Sequence, residues 1–195
     1  MNSNKVIQIV GYKKNTGKTT LVSRLISVLK RKGMCVGTVK HDGHSFEIDH
    51  PDSDTWKHRE AGADLVGITS KHGLTAFVEQ RAYSLEDMLA RMEAADVVLV
   101  EGFKQEAYPK LLMVRTAEDL LLLHSVRNIK AVVSWIDLDS LPSEQTLEVP
   151  WFGVDEIDRI AEYMEKSSFA LSRQVMAKRQ RGLTTGRAEP QRAQG

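Results

Sequence analysis

Cysteine is almost absent from the 195 residues: Cys35 stands alone. A single thiol closes no disulfide within one chain, so burial and hydrogen bonding must hold the fold, as suits a reducing compartment. Inside the apolar stretch from Met34 to Val39, Cys35 reads as a small buried hydrophobe. Long apolar runs are also missing. None reaches the roughly 18 residues of a membrane span, and the opening Met1–Lys5 lacks a signal-peptide core. The expectation is a cytoplasmic protein with no membrane partner. A surplus of one charge sign is missing too, because 27 Lys and Arg face 26 Asp and Glu, a net charge of +1. That balance argues against nucleic acid as a partner. No internal repeat of solenoid length is present.

What is present suits one globular domain. Hydrophobic residues make up 42% of the chain, ample for a core. The expected nucleotide-binding domain covers residues 1–171. From Ser172 onward Arg173, Lys178, Arg179, Arg181, Arg187 and Arg192 face one acid, Glu189, and apolar residues thin out, so 172–195 reads as a basic, disordered tail.

The chain is organised around Gly11-Tyr12-Lys13-Lys14-Asn15-Thr16-Gly17-Lys18-Thr19-Thr20, which fits G-x-x-x-x-G-K-[ST]. A phosphate chain has to be wrapped by backbone N–H groups, and glycines let the backbone turn tightly against it. In this pattern Lys18 reaches the β- and γ-phosphates, the Thr19 hydroxyl holds Mg²⁺, and the following helix points its positive end at the anion. The context agrees. Lys5–Val10 is a short β-branched run, and Leu21, Val22, Leu25, Ile26 and Leu29 follow at helical spacing before Gly33 ends the helix.

The second informative stretch is Asp96–Gly102, D-V-V-L-V-E-G. Four consecutive apolar residues mark a parallel strand buried on both faces. An acid at its carboxyl end, Glu101, stands where a phosphate-loop enzyme needs a Mg²⁺ ligand or a group that orients the attacking oxygen. Gly102 lets the chain turn beside it. Further strands are read at 34–40, 64–69, 74–79, 110–115, 129–135 and 149–152, with 64–79 as a local antiparallel hairpin across Ser70–Gly73. Helices are expected at 55–63 with Asp54 as N-cap, after Ser84 with a capping box to Asp87, and at 155–166. The fold class is α/β: a mostly parallel sheet flanked by helices, with that hairpin. Asp137, just past a late strand, reads equally as a guanine-contacting acid and as a turn residue, since N-K-x-D is absent.

His41, His44 and His50 share a polar loop with Asp42, Asp49, Asp52 and Asp54. The histidine spacing matches no structural zinc pattern and no cysteine joins it. A loop that answers to nucleotide, substrate or Mg²⁺ is the favoured reading, with Asp54 joining Thr19 and Glu101 as a candidate Mg²⁺ ligand.

The order G-K-T-T, V-K-H-D-G-H, D-T-W-K-H-R-E-A-G-A and D-V-V-L-V-E-G-F-K resembles the molybdopterin-guanine dinucleotide biosynthesis protein B family over about Lys5 to Arg115. The resemblance implies a P-loop fold, GTP binding with slow hydrolysis, a homodimer, and a supporting role in attaching GMP to molybdopterin. It also implies a molybdenum cofactor guanylyltransferase as partner and molybdopterin as a ligand. Carried over by position, Gly11, Gly17, Lys18, Thr19 and Thr20 match the family's phosphate loop; Lys13, Lys14, Asn15 and Thr16 are candidate nucleotide-binding residues of the same loop, and whether the two lysines meet phosphate, a second subunit or a pterin is open. Glu101 and Gly102 match the E-G motif, and His41, Asp42 and Asp54 fall on the polar segment. Lys18 and Glu101 are the catalytic candidates. One departure is Asp52-Ser53, where the family often has Gly-Lys; that cation's role passes to Lys57 or Arg59 or is lost. The loop alone leaves a small-molecule kinase and a metal-delivery GTPase as alternatives.

Overall fold

The structure, a computed structural model, describes residues 5–41, 49–79, 81–137 and 149–166. They form two compact units. One comprises the chain up to Lys40 and from Met92 onward, and the other is His41–Arg91. The expected tail at 172–195 lies outside the described residues, as do Asp42, His44 and Asp139.

In the larger unit six strands pair in parallel: β1 (Lys5–Gly11), β2 (Val36–Lys40), β5 (Val97–Glu101), β6 (Lys110–Val114), β7 (Ile129–Ser134) and β8 (Trp151–Gly153), ordered β2-β5-β1-β6-β7-β8. Strands β5 and β6 are buried along their whole lengths, which is why they read as continuous rather than alternating apolar runs. Helix α1 (Lys18–Arg31) lays Leu21, Val22, Leu25, Val28 and Leu29 on the sheet. Helix α5 (Ile157–Lys166) adds Ile157, Ile160, Ala161 and Met164 to the same core. Truncating any of the Leu, Ile or Met side chains among these to Ala costs about 2–5 kcal/mol where no collapse fills the gap. At the end of α1, Gly33 takes φ +80° and its N–H donates to Lys30 O, the turn a Cβ would resist.

One local expectation changes in this unit. Cys35 is exposed, because it lies in the turn before β2, where its N–H donates to the Asp96 carboxylate at 2.8 Å. The apolar run 120–123 is helical, split between a 3₁₀ turn (Ala117–Leu121) and the short α4 (Leu122–Ser125). Asp119 anchors that turn by accepting from the N–H groups of Arg115 and Thr116, both at 2.8 Å, and is buried.

The smaller unit holds the expected hairpin, β3 (Leu65–Thr69) against β4 (Thr75–Glu79), together with α2 (Asp54–Glu60) and α3 (Leu85–Ala90). The capping box at Ser84 is present: Ser84 Oγ accepts from Asp87 N–H at 3.1 Å, and the Asp87 carboxylate accepts from Ser84 N–H at 3.0 Å. Hydrogen bonds from Ser84 hold the Asp87 carboxyl below its ordinary pKa. The N-cap of α2 is Ser53 rather than Asp54. Ser53 has extended φ/ψ and accepts from Trp56 N–H, which leaves Asp54 as the first helical residue.

Candidate functional site

Strand register builds the site. β1 lies between β5 and β6, and Ile9 stands opposite Glu101. The carboxyl end of β1, where Gly11 opens the loop, is therefore level with the acid at the end of β5. The chain leaves β1 toward one flank of the sheet (β2, β5) and leaves β6 toward the other (β7, β8), which places the crevice of an open parallel sheet at the carboxyl ends of β1 and β6.

The loop needs its glycines. A Cβ on Gly11 would stand 2.3 Å from Thr16 Oγ1. Asn15 (φ +61°) and Gly17 (φ +94°) take left-handed conformations that curl the backbone into the start of α1. Gly17 caps α1 without a side-chain hydrogen bond and no acid stands in the first turn. The free N–H groups and positive dipole end are thus left for an anion.

The Thr19 hydroxyl donates to Glu101, at 2.9 Å from Oε1 and 3.0 Å from Oε2. Glu101 itself is buried. Lys18 Nζ donates to Lys13 O at 2.9 Å and Thr16 Oγ1 at 3.1 Å. Burial pulls the Lys18 ammonium below its ordinary pKa, opposed by the nearby Glu101 charge. Hydroxyl and carboxylate oxygens are hard ligands of the kind Mg²⁺ takes, and the ammonium lies on the same loop.

Other residues from the ends of strands grip the loop. Lys104 Nζ donates to Tyr12 O at 3.0 Å, Arg115 to Asn15 O at 3.2 Å, and the Trp135 indole N–H to Thr16 O at 3.0 Å. The Arg115 guanidinium lies 5.5 Å from the Trp135 ring centroid. Beneath Glu101, the buried Gln8 amide donates to Gly102 O at 3.1 Å and Phe103 O at 2.6 Å. Those bonds hold a turn in which Gly102 has φ +96° and Phe103 φ +52°. Sequence reasoning passed over Gln8, Lys104, Arg115 and Trp135. The available signal was position: Arg115 and Trp135 are each the first residue past a strand near β1.

Lys13 forms an ion pair with Glu118 at 2.7 Å, and the hydrogen bond it donates to that carboxylate raises its pKa. Lys14 and Thr20 are exposed. His41 and Asp54 belong to the smaller unit, where Asp54 is exposed and lies 3.8 Å from Lys57 Nζ. Arg59 pairs with Asp49 at 3.7 Å. Among the described residues no group of three or more His, Cys, Asp and Glu is placed to hold a metal ion. None of the described helices is long and apolar enough to cross a membrane.

A parallel sheet feeding a glycine-hinged loop into an uncapped helix, with a threonine and a strand-end glutamate joined beside it, defines a P-loop nucleotide-binding α/β fold. The chain belongs to the family described as Molybdopterin guanine dinucleotide synthesis protein B, whose model matches residues 6–135. It is 29% identical over 159 residues to the molybdopterin-guanine dinucleotide biosynthesis adapter protein of Escherichia coli (strain K12), covering 76% of this chain and 85% of that protein. The adapter protein of Haemophilus influenzae is 35% identical over 117 residues, 58% of this chain and 65% of its own. Among solved structures, the MobB protein homolog from Bacillus stearothermophilus superposes with a TM-score of 0.64 at 32% identity, covering 84% of this chain and 99% of that one.

Proposed function

We propose that this protein binds GTP with Mg²⁺ on the loop Gly11–Thr20, hydrolyses it slowly, and serves as an adapter in the synthesis of molybdopterin guanine dinucleotide. Family membership and the adapter names of its relatives support the pathway. The observation that carries the nucleotide site is the Thr19–Glu101 hydrogen bond at the mouth of the loop. It brings together two oxygen donors that are 82 residues apart in the chain. Thr19 and Glu101 are the residues that would hold Mg²⁺, which supplies charge neutralisation to the phosphates when bound. Lys18 gives up its bonds to Lys13 O and Thr16 Oγ1 to meet the phosphate oxygens, and the N–H groups of residues 13–19 wrap them. Glu101 ends β5 at the turn through Gly102 that leads to Lys104.

The protein acts as a homodimer beside the guanylyltransferase that attaches GMP, with molybdopterin as a further ligand of the complex. The polar segment of the smaller unit, His41, Asp42 and Asp54, is the stretch that answers to nucleotide or pterin. The nucleotide domain runs over 1–171, with 172–195 as a basic tail.

Titration of the purified protein with GTP and ATP, each with and without Mg²⁺, tests this reading. Preference for GTP, strengthened by Mg²⁺, is the expected result. Equal or better binding of ATP together with multiple-turnover transfer to a small acceptor would replace it with a kinase.

A further inference from the structure

Four of the loop's carbonyls are held by side chains, three of them from outside the loop. Tyr12 O accepts from Lys104, Lys13 O from Lys18, Asn15 O from Arg115 and Thr16 O from the Trp135 indole. This matters because of peptide planarity. In a trans peptide the C=O of one residue and the N–H of the next point in opposite directions. A donor that draws Thr16 O outward therefore aims the Gly17 N–H inward. Arg115 on Asn15 O does the same for the Thr16 N–H.

The Thr16–Gly17 peptide is the one most in need of such a hold. Glycine tolerates both signs of φ, so a flip of that plane meets little steric resistance from Gly17 itself. Gly17 has φ +94° and its open side is filled by the indole: a Cβ there would lie 2.6 Å from Trp135 Nε1 and 2.9 Å from Cζ2. The ring packs on the glycine and its N–H takes the preceding carbonyl, so one side chain governs both the space and the orientation of the peptide. Arg115 lies over the same ring and donates to the neighbouring carbonyl.

We propose that Trp135, seconded by Arg115, is a positioning residue for the phosphate cradle, fixing the peptide plane whose N–H at Gly17 meets the nucleotide's phosphates. This rests on the phosphate-loop reading above. It assigns the end of β7 a role in phosphate binding rather than in reading the base.

The test is calorimetric titration of the full chain with Mg²⁺·GTP and, separately, with inorganic pyrophosphate, for the parent and Trp135→Phe. Phenylalanine keeps a ring and removes the N–H. Loss of one such hydrogen bond corresponds to a roughly three- to tenfold weakening. The expected result is the same factor for both ligands, because both present phosphate. Unchanged affinity for both overturns the proposal. So does a loss for GTP with pyrophosphate unaffected, which would make Trp135 a base-contacting residue. A parent protein that binds neither GTP, ATP nor pyrophosphate removes the phosphate-loop reading itself, an outcome distinct from a parent that binds and a variant that matches it. Should Trp135→Phe fail to fold, Trp56→Phe/Trp151→Phe leaves Trp135 as the sole indole. Saturating pyrophosphate must then shift its emission, and an unmoved spectrum overturns the proposal.

Discussion

The hydroxyl of Thr19 lies almost equidistant from the two carboxylate oxygens of Glu101, at 2.9 and 3.0 Å, so one proton is shared between two acceptors. A divalent cation that takes both groups as ligands replaces that shared proton contact. Thr19→Ala and Glu101→Gln are both expected to lower GTP affinity roughly tenfold in Mg²⁺ while leaving the affinity in EDTA within about twofold of the parent. Paired titrations in Mg²⁺ and in EDTA check this. Equal losses in both buffers would place the two residues outside the metal's reach.

Among the described residues the Lys18 ammonium bonds to a loop carbonyl and a loop hydroxyl, and neither bond holds the core. Lys18→Ala should weaken triphosphate binding about a hundredfold, since a charge-assisted contact to several phosphate oxygens is lost. Its melting temperature should stay within about 4 °C of the parent, the shift expected for about 1 kcal/mol in a chain of this length. Nucleotide titration and thermal melts by circular dichroism measure the two halves of the prediction.

Gly17 and Gly33 separate backbone conformation from collision. Both have positive φ, +94° and +80°, but a Cβ at Gly33 meets nothing within 4 Å, whereas at Gly17 it meets the Trp135 ring. Gly33→Ala should cost about 1 kcal/mol, the price of left-handed backbone in an L residue. Gly17→Ala should cost more, about 2–3 kcal/mol, because the indole has to leave. Urea unfolding of both variants gives the comparison, and equal costs would show that Trp135 yields freely.

Lys110 opens β6 fully buried, with its ammonium donating to Glu106 O and, at 2.9 Å, to Tyr108 O. Burial lowers its pKa to about 8, against the attraction of Glu106. The folded-state pKa is therefore below the unfolded value of about 10.4. Between those two values the unfolded chain holds a proton that the folded chain has lost, so stability rises with pH across that window, by an amount of order 3 kcal/mol. In Lys110→Met this rise is absent. Urea unfolding at pH 7.5, 9 and 10.5 for both proteins tests it, and parallel curves would show that Lys110 titrates normally.

Much of the fold was legible because its signals are local. The β-branched run 5–10, the helical stripe of α1 and the stop at Gly33 each stem from side-chain periodicity or backbone freedom, and all lie within one element. The acid of β5 was legible for a related reason: a strand buried on both faces has no polar residue until its end, so Glu101 stood out. Cys35 misled because an apolar composition does not say where a strand begins; the strand starts at Val36, and Cys35 falls in the exposed turn before it. Asp54 misled as a cap because Ser53 serves the same N–H groups one residue earlier.

The residues 11–20 by themselves pointed to a phosphate as the ligand class, since Gly, Lys and Thr at that spacing suit a cradle of N–H groups. What holds the cradle open was decided by tertiary structure. Trp135 is 119 residues from Thr16, and Arg115 is 100 from Asn15. Neither lies in a motif, and an indole or guanidinium after a strand carries no local mark of its partner. Only the strand order β1-β6-β7 sets those strand ends beside the loop, where their N–H donors reach carbonyls that no helix or sheet ladder satisfies.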